Sequence, residues 1–526
     1  MKIVKLFFLL LTFNISYSQI ELTEKIEDQQ ELAGVIEINE NEFFAFQYVG
    51  EHKEYKEFSI AKYVNNKKQA SFEFGKKLKL DKSEFSVEKI FLFNGFPTIV
   101  FVEKEQKTMN IKIQQFDLNC NLLGDFKLLD SYEKKGITAY HLFKIEVSQN
   151  EKHLLVKSRI FDDPKLDIKA KNVYKVYNAN LEIVSEQNVL VNEKNLFPSK
   201  LFLSNTGEIY ATNYTYKSVN PGFKNSFYTD QFGHQRPLSF NSLIKRTFFR
   251  IEDNYTEEFS SFDDFKECTI ADDFLYFQSK FENNNLNASV SLYQDKSTEY
   301  GFKGLFVSLV DENNFTLKSS FYCEFTKEFI ISTFNEKQLK WYDKGDQELS
   351  LKFDYNLIDF KMLDDANFIA ILESNTEIIN EGKAVGHESE EIFILKINSK
   401  GEIVWFKKID KLQKGNKKEF DLISYHILFS KNKIKLLFND NVLNYNKAGK
   451  FELVENKIEK CKFNVAQNTI AFVNLDIETG ELTRESLNNI ELKECLLAPC
   501  LNNRLISLSN ISQIMTKDSR QFVILK

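Results

Sequence analysis

The segment KINSKGEIVWFKKI, residues 396–409, predicts two β-strands joined by a tight turn. Apolar residues lead into the turn, and a second strand-like run follows it. Asn398 and Gly401 suit the turn, because Gly tolerates a positive φ angle and Asn hydrogen-bonds the local backbone. The same pattern recurs at 61–74, 115–129, 175–187, 248–262, 307–321 and 472–482. The chain is therefore predicted to consist of repeated antiparallel hairpins.

A second class of hairpin precedes these segments along the chain. Its members are 34–49, 89–103, 143–159, 201–214, 270–279, 357–373 and 425–440. Two successive hairpins make a four-stranded antiparallel sheet, and seven such units predict an all-β protein. We expect a single β-propeller, because neighbouring blades bury both faces of each sheet. Two stacked β-sandwich or barrel domains are the alternative, and the lack of a linker between the halves of the chain favours one ring.

One hairpin is left over at the end of the chain, around 500–508 and ending in QFVILK at 521–526. We expect it to pair with the strand that follows Gln19 and so to close the ring. The predicted propeller then has seven or eight four-stranded antiparallel blades.

The turn phrases KINSKGEIVW (396–405) and NLDIETGEL (474–482) resemble the outer hairpins of the PQQ-like and WD-like β-propellers. They are also similar to hairpins of uncharacterised exported proteins of Bacteroidetes. This resemblance implies a propeller over most of the chain, and it implies no particular chemistry, because a fold alone does not confer an activity.

Residues 1–18 are predicted to be a signal peptide, and residues 19–526 the propeller domain. Two lysines precede the apolar run FFLLLTF at 7–13, which is shorter than the roughly 20 residues of a membrane-spanning helix. Ser16 and Ser18 supply the small side chains that a signal peptidase requires. We therefore expect an exported protein, either periplasmic or extracellular, with no transmembrane segment in the mature chain.

The distribution of charge makes nucleic acid an unexpected partner. The net charge is −7, and acidic and basic residues are interspersed along the chain. Nucleic-acid-binding domains instead carry a basic patch or stripe. The predicted partners are an envelope protein or a glycan.

The six cysteines are sparse and show no metal-binding or redox spacing. Cys495 and Cys500 are close enough along the chain to be bridged, and that alternative stays open. A chain of this length folds without disulfides, so structural or incidental thiols are the favoured interpretation.

No local motif for catalysis or metal binding is present. The chain lacks a His-Glu-x-x-His zinc motif, a Gly-x-Ser-x-Gly nucleophile elbow and a glycine-rich phosphate loop. We accordingly predict no catalytic residue, no metal site and no cofactor.

The segment DLNCNLLGD at 117–125 is predicted to be a hairpin turn, because Leu122 and Leu128 occupy the positions where a calcium loop needs Gly and a bidentate acid. Adjacent acids at 162–163, 263–264, 272–273 and 364–365 are assigned to turns and solubility.

The long connection at 214–240 is the predicted binding site. Flat aromatic rings together with an arginine suit partner or glycan recognition, because they provide contact area at low entropic cost. Packing of the same rings against a neighbouring blade is the alternative. The predicted binding residues are Tyr214, Tyr216, Phe223, Phe227, Tyr228, Phe232, His234 and Arg236. Two further segments, 281–304 and 382–391, are predicted to be exposed connections.

Two functions are consistent with these patterns. The first is a binding or scaffold protein of the cell envelope that uses loops on one rim of the propeller, and it is favoured because no catalytic motif is present. The second is an extracellular hydrolase or lyase acting on carbohydrate or peptide. That enzyme would need at least two carboxylates, or a histidine with acids, in the central channel.

Overall fold

The described part of the protein is almost entirely β-structured, with two short helices. The structure is a computed structural model that describes residues 20–22, 31–39, 41–49, 57–74, 84–104, 108–133, 143–148, 150–161, 170–190, 200–218, 227–229, 235–237, 241–252, 255–262, 269–270, 275–277, 286–294, 301–311, 317–345, 349–352, 354–363, 367–380, 383–416, 419, 422–423, 425–430, 432–453, 457–461, 463, 467–487, 496–497, 511–515 and 520–525.

The first three blades are four-stranded antiparallel sheets, each made from consecutive strands. They follow a short first strand that belongs to another sheet. In chain order these strands are β1 (Ile20–Leu22); β2 (Glu31–Asn39), β3 (Glu42–Val49), β4 (Glu57–Val64) and β5 (Lys67–Phe74) of blade 1; β6 (Glu84–Phe93), β7 (Phe96–Lys104), β8 (Thr108–Gln115) and β9 (Lys127–Glu133) of blade 2; and β10 (Phe143–Val147), β11 (Leu154–Phe161), β12 (Ala170–Tyr177) and β13 (Ile183–Leu190) of blade 3.

Blades 4 and 5 keep the same order and carry extra strands. A separate two-stranded hairpin lies between the second and third strands of blade 4. The strands are β14 (Lys200–Leu203), β15 (Ile209–Ser218), β16 (Phe227–Thr229), β17 (Gln235–Pro237), β18 (Asn241–Glu252), β19 (Tyr255–Phe262), β20 (Thr269–Ile270), β21 (Leu275–Phe277), β22 (Leu286–Gln294), β23 (Gly301–Phe302), β24 (Gly304–Asp311) and β25 (Leu317–Glu324). In blade 5, the first strand is replaced by two short strands, β20 and β21, which both pair with β22.

Blades 6 and 7 follow two helices, and the last three strands join β1 in a closing sheet of order β1-β38-β37-β36. The elements are α1 (Lys327–Ser332), α2 (Glu336–Asp343), β26 (Leu351–Lys352), β27 (Tyr355–Met362), β28 (Phe368–Asn380), β29 (Lys383–Ile397), β30 (Ile403–Ile409), β31 (Gln413–Asn416), β32 (Tyr425–Phe429), β33 (Lys433–Asn441), β34 (Asn468–Asp476), β35 (Leu482–Ser486), β36 (Leu496–Leu497), β37 (Ile511–Met515) and β38 (Arg520–Leu525).

The sheets are arranged as a ring whose centre is lined by the first strand of each blade. Strand β2 contacts β6, β6 contacts β10, and β10 contacts β14. The closing sheet lies between blade 7 and blade 1, because β36 contacts β33 and β37 contacts β2. The protein is therefore a β-propeller of seven blades built from consecutive strands, completed by a sheet that joins the two ends of the chain.

The hydrophobic core is divided among the spaces between blades. Phe46 and Phe58 of blade 1 pack with Phe116 and Ile99 of blade 2 in one cluster. A larger cluster joins the isoleucines of blade 6 to the apolar residues of blade 7. Each strand contributes residues to both sides, since successive side chains alternate between the faces of a sheet.

The predicted fold is confirmed, including the closure of the ring. All seven hairpins of the class that includes 396–409 are present, and β38 pairs with β1 through Ile20 and Leu525. The last hairpin is formed by β37 and β38, whereas residues 500–508 lie outside the described residues. The prediction of a hairpin at 270–279 was wrong, because the two described strands in this region, β20 and β21, both pair with β22 and not with each other. The prediction that 281–304 is an exposed connection was also wrong: Ala288 and Val290 are fully buried in β22. Serines that alternate with these small apolar residues had obscured the strand.

The exposed loop predicted at 382–391 is a strand as well. Residues from Lys383 onward belong to β29, and Ser389 is fully buried. Glycine and charged residues gave this segment the composition of a loop. It is held in strand geometry by neighbours on both sides, β28 and β31.

Candidate binding face

The antiparallel order of each blade divides its connections between two faces of the ring. Connections from second to third strands, and from a fourth strand to the next blade, emerge at one end of the sheets. Connections from first to second and from third to fourth strands emerge at the other end. We call these ends the elaborated face and the turn face.

The turn face is formed by short hairpins that Asn and Asp side chains close. Asn398 Oδ1 accepts the backbone N–H groups of Lys400 and Glu402, both at 2.9 Å. Asn178 and Asp476 form equivalent turns between third and fourth strands. Asp117 does the same, accepting from Asn121 at 2.8 Å, which confirms that 117–125 is a hairpin turn. These carboxylate and amide oxygens are used to fix the backbone.

The elaborated face carries nearly all of the additional structure among the described residues. Helices α1 and α2 lie between blades 5 and 6, and the β16–β17 hairpin lies between β15 and β18. Strands β28 and β29 project beyond blade 6, where β31 pairs with β29. Blade 7 has the connection 442–467 between its second and third strands.

Five of the eight predicted binding residues lie in described strands of blade 4. Tyr214 and Tyr216 lie in the half of β15 that runs toward the elaborated face. Phe227 and Tyr228 are in β16, and Tyr228 pairs across the hairpin with Arg236 of β17. The other three, Phe223, Phe232 and His234, lie outside the described residues. The segment is thus a hairpin mounted on the elaborated face, and its binding role stays a prediction.

A buried ionic network lies below this face in blade 7. Arg484 forms an ion pair with Asp440, and the two side chains are only 3% and 1% exposed. Tyr445 donates its hydroxyl to the same carboxylate at 2.6 Å, and Asn444 donates to the other carboxylate oxygen at 2.8 Å. The guanidinium also lies 3.7 Å from the centre of the Phe451 ring. Every oxygen of the buried carboxylate is therefore hydrogen-bonded, as a buried charge requires.

A second buried ion pair connects blade 6 to the chain leading into blade 7. The Lys411 ammonium contacts the Glu373 carboxylate, and neither side chain is more than 8% exposed. Ser389 donates its hydroxyl to the same carboxylate at 2.8 Å. Lys411 follows β30, and its ammonium lies 5.4 Å from the centre of the Tyr425 ring. Together the two ion pairs fix the base of the elaborated face at blades 6 and 7.

Sequence reasoning missed these charged residues because their partners are distant along the chain. Arg484 and Asp440 are 44 residues apart, and Lys411 and Glu373 are 38 apart. Neither pair forms a recognisable motif. Only the unusual position of a charge within an otherwise apolar strand, as at Asp440 after KLLFN, is a usable signal.

Three large apolar side chains are exposed on the elaborated face. Trp341 of α2 is 42% exposed, Val385 of β29 is 41% exposed, and Leu443 after β33 is 64% exposed. The Lys337 ammonium lies 4.4 Å from the Trp341 ring. Single exposed apolar residues are normal on protein surfaces. Trp341, Val385 and Leu443, however, lie in α2, in the projecting part of β29 and in the connection after β33, which are additions to the four-stranded blades.

The central strands of blades 6 and 7 contain the described groups that bear most directly on an enzymatic function. Burial raises the pKa of Asp359 on β27 to about 6. Burial lowers the pKa of His426 on β32 to about 4. Burial, with Glu373 and Asp359 nearby, raises the pKa of Tyr425, whose hydroxyl has no hydrogen-bond partner among the described residues. A carboxyl with a pKa near neutrality suits acid or base catalysis.

The described residues do not contain a cluster of three or more His, Cys, Asp or Glu side chains that could hold a metal ion. The adjacent acid pairs noted in the sequence lie outside the described residues. Among the described helices, none is both long and apolar enough to cross a membrane.

Three of the cysteines are buried free thiols, at Cys120, Cys323 and Cys461. Burial raises the pKa of Cys120 to about 11 and that of the other two to about 12. These thiols stay protonated at neutral pH, and their structural or incidental role stays a prediction. Cys268, Cys495 and Cys500 lie outside the described residues.

Comparison with known proteins yields similarity in fold without a family. No protein-family model matches the chain. No curated protein matches it either. The β-propeller domain of the trilobed protease from Pyrococcus furiosus is 11% identical, with a TM-score of 0.36 over 86% of this chain and 96% of that chain. A europium-containing methanol dehydrogenase is 9% identical, with a TM-score of 0.38 over 96% of this chain and 84% of that one. The WD40 domain of SCAP from fission yeast is 8% identical, with a TM-score of 0.36 over 96% and 94%. At this level the similarity carries no argument about activity.

We predict that Arg484→Met lowers the free energy of unfolding by about 3–5 kcal/mol, because it leaves the buried Asp440 carboxylate uncompensated. Urea unfolding followed by circular dichroism measures the change. The double variant Arg484→Met, Asp440→Leu should recover much of the loss, since it removes both charges. A double variant that loses at least as much as the two single changes combined would contradict this account of the network.

The raised pKa of Asp359 should make the free energy of unfolding depend on pH. Its native pKa of about 6 exceeds the ~3.9 of an unfolded aspartate, so the native state retains a proton that the unfolded state releases. Stability should therefore fall as pH rises from about 4 to about 6 relative to Asp359→Asn. Melting temperatures of the two proteins across this interval measure the difference. A constant difference would show that the carboxyl titrates alike in both states.

Proposed function

We propose that this protein is an exported binding protein of the cell envelope that docks a partner on the elaborated face. The observation that carries the proposal is the unequal division of structure between the two faces. The turn face has tight Asx-closed hairpins, whereas the helices, the β16–β17 hairpin and the projecting strands of blade 6 all lie on the other face. Long structured connections on a rigid scaffold are where binding residues concentrate.

The chemistry of the elaborated face fits an envelope protein or a glycan. The predicted binding residues Phe227, Tyr228 and Arg236 belong to the β16–β17 hairpin, which is part of this face. Trp341 and Lys337 bring a second aromatic and cationic pair. Exposed aromatic residues are enriched where proteins bind partners, because they bury large areas at low entropic cost.

The buried ion pairs of blades 6 and 7 support the same proposal. A docking surface binds more tightly when its geometry exists before the partner arrives, since less ordering accompanies association. Lys411 joins the end of β30 to β28, and Arg484 joins β35 to β33 through their hydrogen bonds. The connections that leave these strands toward the elaborated face therefore start from fixed positions.

An extracellular hydrolase or lyase acting on carbohydrate or peptide is the second candidate function. One arrangement favours it: Asp359 and Glu373 both act on the pKa of Tyr425 near the central strands. In such an enzyme the Asp359 carboxyl would act as the general acid or base that transfers a proton to or from the substrate. The Tyr425 hydroxyl would stay protonated and donate a hydrogen bond to the substrate. Loss of turnover in Asp359→Asn, with binding retained, would identify this function.

The loop of blade 4 provides a test of the binding function. Mature protein starting at Gln19 is used to capture crosslinked partners from envelope extract. The variant Phe227→Ser, Tyr228→Ser, Arg236→Ser should capture at least tenfold less of the same partner, because it removes two aromatic residues and an arginine from the β16–β17 hairpin.

The matched control is Leu118→Ser, Leu123→Ser, Leu128→Ser, which removes exposed apolar side chains at or beside the turn face of blade 2. We expect it to capture the partner as the unaltered protein does. A partner lost by the control and kept by the blade 4 variant would place binding on the turn face and overturn the proposal. Capture of no partner by the folded, unaltered protein would also count against it.

A further inference from the structure

The two middle strands of blade 6, β28 and β29, are longer than their neighbours require. Strand β28 has 13 residues and β29 has 15. Strand β27 pairs with β28 only up to Ser374, and β30 pairs with β29 only from Ile392. Residues 375–380 and 383–389 therefore project from the blade toward the elaborated face.

On one side of this projection the missing neighbour is replaced. Strand β31 pairs with β29 from Gly386 opposite Asn416 to Ser389 opposite Gln413. A Cβ atom added to Gly386 would lie 2.4 Å from the Gly415 carbonyl oxygen, so the two backbones meet at a distance that only glycine permits. We call the three-stranded unit of 375–380, 383–389 and β31 the extension sheet.

On the other side, the edge of β28 is open among the described residues. The Asn375 backbone N–H donates to the Asp354 carbonyl at 2.9 Å, which is the last described contact between this edge and blade 6. Backbone groups of a strand alternate in direction. The Glu377 N–H, two residues further, is therefore directed to the same open side, where no described strand pairs with it.

The composition of this edge differs from that of most outer edges of the propeller. Strands β5, β9, β25 and β30 form outer edges and all contain lysine, a residue that discourages pairing with another strand. Residues 374–380, SNTEIIN, contain no lysine or arginine and carry Glu377. Thr376 and Ile378 are half-buried and favour strand geometry.

We propose that residues 376–380 bind an extended segment of a partner protein, which adds to the extension sheet as a fourth strand with a lysine or arginine near Glu377. An open strand edge offers a row of backbone donors and acceptors, and an extended peptide satisfies them. This inference rests on the proposed function, because it names the site and class of partner on the elaborated face.

A second copy of this chain is the less favourable occupant. Antiparallel self-pairing centred on Ile378 would bring two acidic segments together and place the two Glu377 residues on diagonal neighbouring positions. Like charges at such positions are destabilising. A basic partner segment removes this repulsion and adds attraction.

The probe is a fluorescent heptapeptide of alternating valine and threonine with two lysines, and binding is measured by fluorescence anisotropy. Glu377→Pro removes the outward N–H without removing a bond to β29, and should weaken binding at least tenfold. A probe N-methylated at alternate residues keeps its charge and loses its backbone donors, and should also bind at least tenfold more weakly. Glu377→Gln should bind the unmodified probe a few-fold more weakly.

The matched control for charge is Glu481→Gln on the turn face, which should bind the probe as the unaltered protein does. Circular dichroism confirms that each variant is folded. Equal binding of the N-methylated probe would overturn the proposal, since charge alone would then account for affinity. Absence of probe binding, or unchanged binding by Glu377→Pro, would overturn it as well.

Two further outcomes separate this inference from others. A homodimer in solution that Glu377→Pro dissociates would identify a second copy as the occupant and overturn the proposed partner. Capture of the envelope partner by Glu377→Pro at the unaltered level would reject this edge and leave the proposed function standing. Failure of the unaltered protein to capture any partner would reject the proposed function instead.

Discussion

The requirement that every blade bury both of its faces governs the architecture of this protein. A four-stranded sheet with apolar residues on both sides is stable only between two other sheets, which the ring provides. The same requirement applies at the ends of the chain. Strand β1 pairs with β38, and the resulting sheet fills the space between blades 7 and 1. The ring therefore holds its first strands around the centre and restricts variation to the connections at its two faces.

Among the described residues, nearly all of the structure added to the ring lies on the elaborated face. The turn face keeps hairpins whose Asn and Asp side chains satisfy the local backbone, as at Asn398 and Asp476. On the elaborated face the packing between blades 6 and 7 changes from apolar to ionic. Leu436 and Ile371 lie in the apolar cluster, whereas Asp440 forms an ion pair further along the same strand as Leu436. A buried ion pair adds little net stability compared with apolar packing, but it specifies one geometry when fully hydrogen-bonded. That geometry supports the extension sheet and the connections of blade 7.

Sequence reasoning reached the fold because the fold is encoded locally and repeatedly. Turn residues such as Asn398 and Gly401 mark third-to-fourth strand hairpins in every blade, and strand alternation marks the rest. It failed where local composition and tertiary context disagree. The segment around Gly386 has loop composition and is held as a strand by β28 and β31. Helix α2 was not predicted, although Asn335 and Gln338 form a capping box that the sequence displays. The ion pairs of Lys411 and Arg484 join residues too distant along the chain for any local pattern to reveal.

Direct mapping of the partner onto the two faces is the measurement that tests the account most directly. A photo-crosslinking amino acid is introduced in place of Trp341, Val385 or Leu443 on the elaborated face, or of Leu118 or Leu123 on the turn face. The proteins are then irradiated in envelope extract, and adducts are identified by mass spectrometry. We expect one partner to be crosslinked from the elaborated positions and not from the turn positions. Adducts of that partner formed equally from both faces, or only from the turn face, would contradict the assignment of function to the elaborated face.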